Sequence, residues 1–166
     1  MLLAMRNLAM FLLLAVSAQA QIVLGEMGFQ VAGLQGTAGD FCRGFTCVPR
    51  QLNVTSGETL TLTVRAPLGA PFVVAASASA TSCLKIPTIG NSLVIDLPLI
   101  VLYSGSIDKP SPILACYDGY TTRSLPLPGG LPLGAALAMQ AGAVIGTPQY
   151  PSTGFGLASA VLAIVR

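Results

Sequence analysis

The chain has 166 residues, of which 53% are hydrophobic and only 8% are charged, and its formal net charge is +2. The few basic residues are scattered singly, whereas a protein that binds nucleic acid needs clustered lysine and arginine for the phosphate backbone. The sequence contains no histidine, which excludes Ser-His-Asp and Cys-His catalytic mechanisms and histidine-ligated metal sites.

The first twenty residues have the pattern of a cleavable signal peptide. Arg6 precedes an apolar run over residues 8–16, and Ala18-Gln-Ala20 offers a small-residue cleavage site. A transmembrane helix needs about 20 apolar residues, so this run is too short to anchor the chain. No cysteine stands directly after the run to carry a lipid, so a lipoprotein anchor is not expected. The sequence therefore predicts cleavage after Ala20, a mature chain that begins at Gln21, and a location that is secreted, periplasmic or on the cell surface.

Residues 21–166 are predicted to form a single domain, because a chain of this length can bury one ordinary core. The longest weakly polar stretch, residues 131–147, is rich in Ala and Gly and carries Gln140 near its middle. Such a stretch makes a poor transmembrane helix. The sequence therefore predicts no stable membrane insertion, and it offers no motif for a cofactor.

The clearest secondary-structure signal lies in residues 58–65, where Leu60, Leu62 and Val64 alternate with polar residues. An alternation with period two places these side chains on one face of a strand. Residues 52–55 alternate as well, and Ser56-Gly57 between the two segments is a turn signal. The sequence thus predicts a hairpin over residues 52–65, with one buried face and one solvated face.

Further short apolar runs end at Gly, Pro, Asn or Ser and are predicted to be strands. They cover residues 72–78, 93–97, 99–103 and 113–117. Two later segments, 135–145 and 157–165, are also interpreted as strands, although the first is rich in helix-favouring Ala, Leu and Met. Short strands at intervals of about 8 to 12 residues predict an all-β fold. The expected architecture is a single antiparallel β-sandwich, either immunoglobulin-like or jelly-roll-like.

The predicted mature chain contains four cysteines, Cys42, Cys47, Cys83 and Cys116. An even number of cysteines in an exported chain favours disulfide bonds. A zinc site of four thiolates would usually show two Cys-x-x-Cys pairs, and the sequence has neither. Three pairings are possible. Because Gly44 lets the chain turn back between the first two cysteines, the predicted pairs are Cys42–Cys47 and Cys83–Cys116.

A succession of short motifs resembles a group of exported proteins. The motifs are residues 57–64, Leu125-Pro-Leu-Pro128, residues 133–141 ending in Gln-Ala, and a final segment over residues 156–162 that opens with Gly-Leu. Together they are similar to a loose set of uncharacterised exported β-sandwich proteins of bacteria with large secretomes. The resemblance covers roughly residues 52–166 and implies a fold, but no activity. The chain departs from that set at Gly146-Thr-Pro148, where an aspartate is the commoner residue.

Five carboxylates are candidates for the acid and base pair used in glycoside hydrolysis. They are Asp40, Glu58, Asp96, Asp108 and Asp118. Asp108-Lys-Pro and Asp118-Gly are turn sequences in which aspartate bonds its own backbone. Glu58 begins a predicted strand, and Asp96 is expected on the outward face of residues 93–97. These settings favour structural roles, no calcium loop of the Asp-x-Asp-x-Asp type occurs, and the chain is predicted not to be an enzyme.

The remaining hypotheses concern binding. Tyr103, Tyr117, Tyr120 and Tyr150 flank predicted turns, where binding residues are common, and two of them on one exposed face would indicate glycan binding. The first hypothesis is a non-catalytic structural or interaction protein of the envelope or secreted matrix, whose edge strands lack lysine and can pair with other protein chains. The alternative is a secreted ligand-binding module with carbohydrate as its candidate ligand.

Overall fold

The structure, a computed structural model, describes residues 27–41, 45–111, 117–145 and 154–166. Within these ranges the chain forms strands and no helix. The all-β prediction is therefore confirmed. The predicted signal peptide, residues 1–20, lies outside the described residues, as do Cys42, Cys116 and Tyr150.

The described residues form fourteen strands. In chain order they are β1 (Gly28–Gly33), β2 (Gly36–Asp40), β3 (Arg50–Val54), β4 (Thr59–Ala66), β5 (Pro71–Ser77), β6 (Leu84–Lys85), β7 (Ile89–Gly90), β8 (Ser92–Leu93), β9 (Ile100–Ser106), β10 (Lys109–Pro110), β11 (Gly119–Pro126), β12 (Ala136–Ala143), β13 (Phe155–Leu157) and β14 (Val161–Val165). Sheet A has the order β10-β11-β4-β1-β2. Sheet B contains β3, β14, β12, β13, β7, β5 and β9, while β6 pairs with β8 alone.

The two sheets pack against each other as a β-sandwich. Their inner faces share one hydrophobic core, to which Phe29 and Leu62 contribute from sheet A and Val74 and Met139 from sheet B. Most strand pairs are antiparallel, as predicted, but β3 pairs with β14 and β7 pairs with β13 in parallel. Both parallel pairs lie at the margins of sheet B.

Strand β4 shows how the alternation in the sequence becomes two different faces. Leu60, Leu62 and Val64 are at most 1% exposed, and Thr61 between them is exposed. β4 lies between β1 and β11, so its backbone is bonded on both sides. The prediction of one buried and one solvated face is confirmed.

Strands β3 and β4 follow each other in the chain but do not pair. β3 joins β14 in sheet B, with Leu52 opposite Ala163, whereas β4 belongs to sheet A. The predicted turn is present, and Gly57 has a φ of 83°, a conformation that glycine adopts readily. The turn leads the chain from one sheet to the other, so the predicted hairpin over residues 52–65 is wrong. A turn signal fixes where the chain reverses, but not which sheet each strand enters.

Several other strand predictions can be compared with the fold. The strands predicted over residues 72–78, 99–103 and 135–145 correspond to β5, β9 and β12. The segment 157–165 is divided, because β13 ends at Leu157 and β14 begins at Val161. The strand predicted over residues 93–97 is wrong, because β8 ends at Leu93. Val94 and Ile95 are both buried, whereas neighbouring residues of a strand point to opposite faces. Residues 113–116 lie outside the described residues.

Residues 79–99, called the outer layer, cover the outer face of sheet B. Val94 and Ile95 of this layer form a buried cluster with Ala138 and Ala160. Gln140 of β12 points into the same layer and is only 2% exposed. Its side-chain oxygen accepts a hydrogen bond from the Val94 N–H at 2.9 Å, and its Nε2 donates to the carbonyl oxygens of residues 92 and 158 at 2.9 and 2.8 Å. One amide therefore fastens the outer layer to the sandwich.

Candidate functional surfaces

Cys47 and Cys83 form a disulfide bond, with Cα atoms 5.5 Å apart and a sequence separation of 36 residues. Both predicted pairs, Cys42–Cys47 and Cys83–Cys116, are therefore wrong, because each needs a cysteine that already has another partner. Cys42 and Cys116 lie outside the described residues. Within one chain, the only cysteine left for either of them is the other.

Long-range packing explains why the observed cysteines meet. Phe45, two residues before Cys47, and Ala80, three residues before Cys83, both pack against the buried cluster beneath the outer layer. Gly44 permits a local loop between Cys42 and Cys47, but a glycine does not by itself supply the packing contacts that stabilise such a loop. The shared cluster brings the two chain segments together, and this contact is not visible in the cysteine spacing.

Peptide mapping of the oxidised protein should recover a link between Cys47 and Cys83. Arg43 separates Cys42 from Cys47, and Lys85 separates Cys83 from Cys116, so tryptic digestion without reductant places all four cysteines in different peptides. We expect mass spectrometry to find residues 44–50 joined to residues 66–85. A peptide that joins Cys42 to Cys47 would contradict this connectivity.

Three of the candidate carboxylates hold ordinary structural partners. Asp40 lies 3.1 Å from Arg50 Nε, and Asp108 lies 3.5 Å from Arg123 Nη1. Asp118 accepts the backbone N–H of residue 68 at 2.9 Å. These contacts join separate segments of the fold, so each of the three carboxylates has a structural partner.

Asp96 is the most heavily hydrogen-bonded carboxylate of the described residues. It accepts the Ser79 hydroxyl at 2.6 Å, the Thr81 hydroxyl and N–H at 2.9 and 3.0 Å, and the Ser82 N–H at 2.9 Å, together with the Ser82 hydroxyl. The hydrogen bond from Ser79, followed by those from Ser82 and Thr81, holds the pKa of Asp96 well below its usual range. Asp96 therefore closes the turn that leads into Cys83. The prediction that Asp96 lies on the outward face of a strand is therefore wrong, because Asp96 is not part of a strand.

Glu58 differs from the other carboxylates because it is buried without a partner. It is 7% exposed, and neither of its carboxylate oxygens has a hydrogen-bond partner among the described residues. The side chain lies against Gly33, where an added Cβ would be 2.7 Å from Oε1. The carbonyl oxygen of Glu58 accepts the N–H of Leu127, the residue that follows β11, at 2.8 Å. The described residues contain no group of three or more His, Cys, Asp or Glu that could hold a metal ion.

Two apolar cavities adjoin sheet B. One of about 250 Å³ is lined by residues that include Val54, Leu127 and Val165. The other, of about 210 Å³, lies under the outer layer, with Val73 and Leu93 in its wall. Neither wall contains an ionisable side chain, so both cavities are suited to apolar groups.

The described tyrosines do not share one exposed face. Tyr117 is buried. Tyr103 packs against the core, and its hydroxyl donates to the carbonyl oxygen of Ser124, whereas Tyr120 lies opposite Arg65 on the outer face of sheet A. A platform of several tyrosines is therefore not formed by Tyr103, Tyr117 and Tyr120.

Strand β9 forms an exposed apolar edge of sheet B. It is hydrogen-bonded to β5 and to no other strand of the described chain. Ile100 and Val101 are 64% and 61% exposed, and Leu97 and Leu99 just before them are exposed as well. No charged residue occurs between Asp96 and Asp108. Strand β9 itself contains none of the lysines and prolines that usually prevent pairing with another chain, and Pro98 lies two residues before it.

A second surface, missed in the sequence, joins basic and aromatic side chains on the outer face of sheet A. We call Phe41, Arg65, Lys109 and Tyr120 the Arg65 cluster. The Arg65 guanidinium carbon lies 4.5 Å from the centre of the Phe41 ring and 5.6 Å from that of Tyr120. Lys109 Nζ lies 5.8 Å from the centre of the Tyr120 ring. The only sequence signal for this surface is the position of Arg65 on the solvated face of β4.

Comparison with known proteins assigns the chain to no family. No family model matches it, and no curated protein matches it significantly. Among the described residues, no helix is long and apolar enough to cross a membrane.

Proposed function

We propose that this protein is exported and acts as a non-catalytic structural or interaction protein, which pairs with another protein chain through the edge of β9. Export is supported by the signal-peptide pattern of residues 1–20 and by the Cys47–Cys83 disulfide, since disulfides persist mainly in oxidising compartments. A non-catalytic role is supported by the structural partners of Asp40, Asp96, Asp108 and Asp118. The same proposal fits the exported β-sandwich proteins that the motifs resemble.

The observation that carries the proposal is the exposed edge of β9. Ile100 and Val101 are the exposed aliphatic residues of a strand whose outer backbone edge faces no other strand of the described chain. Strand addition to such an edge gains main-chain hydrogen bonds and buries the side chains beside them. We take the partner to be a second copy of this chain. Two antiparallel copies of β9 bring no like charges together, because the strand carries none, and the contact closes under a two-fold axis.

Light scattering coupled to size-exclusion chromatography should show a concentration-dependent dimer of the exported protein. Val101→Lys places a positive charge at the edge of each copy, and like charges on neighbouring strands repel. We expect the dimer dissociation constant to rise by about tenfold or more, which corresponds to about 1.4 kcal/mol. The melting temperature of the monomer should change little, since Val101 is already exposed.

Val48→Lys is the matched control for this experiment. Val48 is 71% exposed and lies outside β9, so the same substitution there should leave the dimer intact. A wild-type protein that stays monomeric at all concentrations would overturn pairing with a second copy. A dimer that survives Val101→Lys unchanged would place the contact on another surface.

A ligand-binding module is the second candidate function, and the Arg65 cluster is the observation that favours it. This cluster lies on the face of sheet A, whereas β9 is an edge of sheet B. The two functions therefore use different surfaces and can be tested separately.

A further inference from the structure

We propose that the Arg65 cluster binds an acidic polysaccharide, with Arg65 and Lys109 contacting carboxylates of its sugar units. The inference rests on the second candidate function, which it narrows to one class of ligand. It is independent of the β9 contact.

The strand register places the cluster in a single row across sheet A. Lys109 of β10 lies opposite Tyr120 of β11, Tyr120 lies opposite Arg65 of β4, and Arg65 lies opposite Gly28 of β1. Phe41 completes the row, because Gly28 has no side chain to fill the space it occupies. A Cβ at Gly28 would lie only 2.8 Å from Phe41 Cδ1. Adjacent strands lie about 4.8 Å apart, so the row from β10 to β1 extends over roughly 14 Å.

The charges of this row are not balanced by carboxylates. Arg65 Nη1 donates to the Ser111 hydroxyl at 2.7 Å, and Lys109 Nζ donates to the Thr122 hydroxyl at 3.0 Å. Both partners are neutral. The two ion pairs found among the described residues use other basic residues, Arg50 and Arg123. Arg65 and Lys109 therefore form a cationic row that is complementary to an anion, and a planar guanidinium suits a carboxylate.

The position of the row favours a saccharide over a peptide. β4 is paired with β1 on one side and β11 on the other, so a peptide finds no free strand edge at Arg65 for main-chain pairing. The edge strand β10 at the other end of the row is only two residues long and contains Pro110. In the row the Arg65 guanidinium lies over the Phe41 ring and Lys109 over the Tyr120 ring, so the aromatic side chains support the two cations that contact the carboxylates of a saccharide. Lys109 and Arg65 are two strands apart. Each can therefore contact a different carboxylate of a linear polymer that carries carboxylates at regular intervals.

Binding of polygalacturonate, measured by isothermal titration calorimetry, tests the proposal. We expect Arg65→Gln and Lys109→Gln each to weaken binding by about tenfold or more. Lys109 is exposed, so its substitution keeps the test valid if Arg65→Gln fails to fold. Arg166→Gln is the matched control, because it removes one positive charge from a residue that contacts Asn53 of β3 in sheet B. The control should change the affinity less than twofold.

Two further polymers separate the sugar from its charge. Fully methyl-esterified polygalacturonate keeps the sugar and loses the charge, and we expect it not to bind. Polyglutamate keeps the charge and loses the sugar, and it should bind at least tenfold more weakly than polygalacturonate. Equal binding of polyglutamate would overturn the polysaccharide proposal. If the ester bound as tightly as polygalacturonate, the role of the carboxylates would be overturned, but the ligand-binding candidate function would stand. If none of the three polymers bound, the proposal that the Arg65 cluster binds an acidic polysaccharide would be overturned.

Discussion

Leu62→Ala should lower the free energy of unfolding by about 2 to 5 kcal/mol, the range for truncating a buried leucine. Leu62 is 1% exposed and lies in the middle of β4, where it is opposite Val31 of β1. Its side chain projects into the core between the sheets, so truncation leaves a cavity that neighbouring strands, held by backbone hydrogen bonds, can close only in part. Since domains are stable by roughly 5 to 15 kcal/mol, this loss is a large share of the total.

The neighbouring substitution Thr61→Ala provides the control for this prediction. Thr61 lies on the exposed face of β4, and substitutions at such positions usually change stability by no more than about 0.5 kcal/mol. Urea denaturation of both variants and the wild type measures the contrast. If Thr61→Ala proved as destabilising as Leu62→Ala, the outer face of sheet A would have to be covered by a further layer or by a partner chain.

Gln140→Leu should also be strongly destabilising, although it replaces a buried polar side chain with an apolar one. The substitution removes the acceptor of the Val94 N–H and the donor to two carbonyl oxygens. A buried polar group left without a partner costs about 1 to 3 kcal/mol, so we expect a total loss of roughly 2 to 5 kcal/mol. Hydrogen exchange should rise first in the outer layer, which the Gln140 amide fastens to sheet B.

Gln51→Leu is the matched control for Gln140→Leu. Gln51 lies on β3 and is exposed, so the same change there should alter the unfolding free energy by no more than about 0.5 kcal/mol. A loss below about 1 kcal/mol for Gln140→Leu would contradict the role assigned to the amide, because it would mean that the three backbone groups find other partners.

The strands that could be predicted from the sequence are those whose local pattern matches their final environment. Leu60, Leu62 and Val64 alternate because one face of β4 is buried and the other is solvated. β2 and β11 could not be predicted because their sequences are rich in Gly and polar residues, and β1 is a short segment bounded by glycines. β1 and β11 are held in sheet A by pairing with β4, and β2 by pairing with β1. The crossing from β3 to β4 could not be predicted, because local alternation contains no information about the sheet that a strand joins.

The surfaces were less predictable than the strands, because they depend on contacts between distant segments. Arg65 and Lys109 stand far apart among singly scattered basic residues, and only the pairing of β4, β10 and β11 brings them into one row. The Cys47–Cys83 bond depends in the same way on a cluster beneath the outer layer. Glu58 lies one residue before β4, which begins at Thr59, and its burial against Gly33 could not be predicted from the local sequence.

The position of β14 constrains the order in which this protein can fold. β14 follows all the other described strands in the chain, yet it lies inside sheet B, with β12 on one side and β3 on the other. Until residues 161–165 have been synthesised, β3 has no neighbour in its sheet and the inner faces of the sandwich cannot be closed. Contacts between segments so distant in sequence form slowly. Sheet B can therefore be completed only after the last described strand has been synthesised, so β3 waits for its only partner in that sheet while more than one hundred residues are added to the chain.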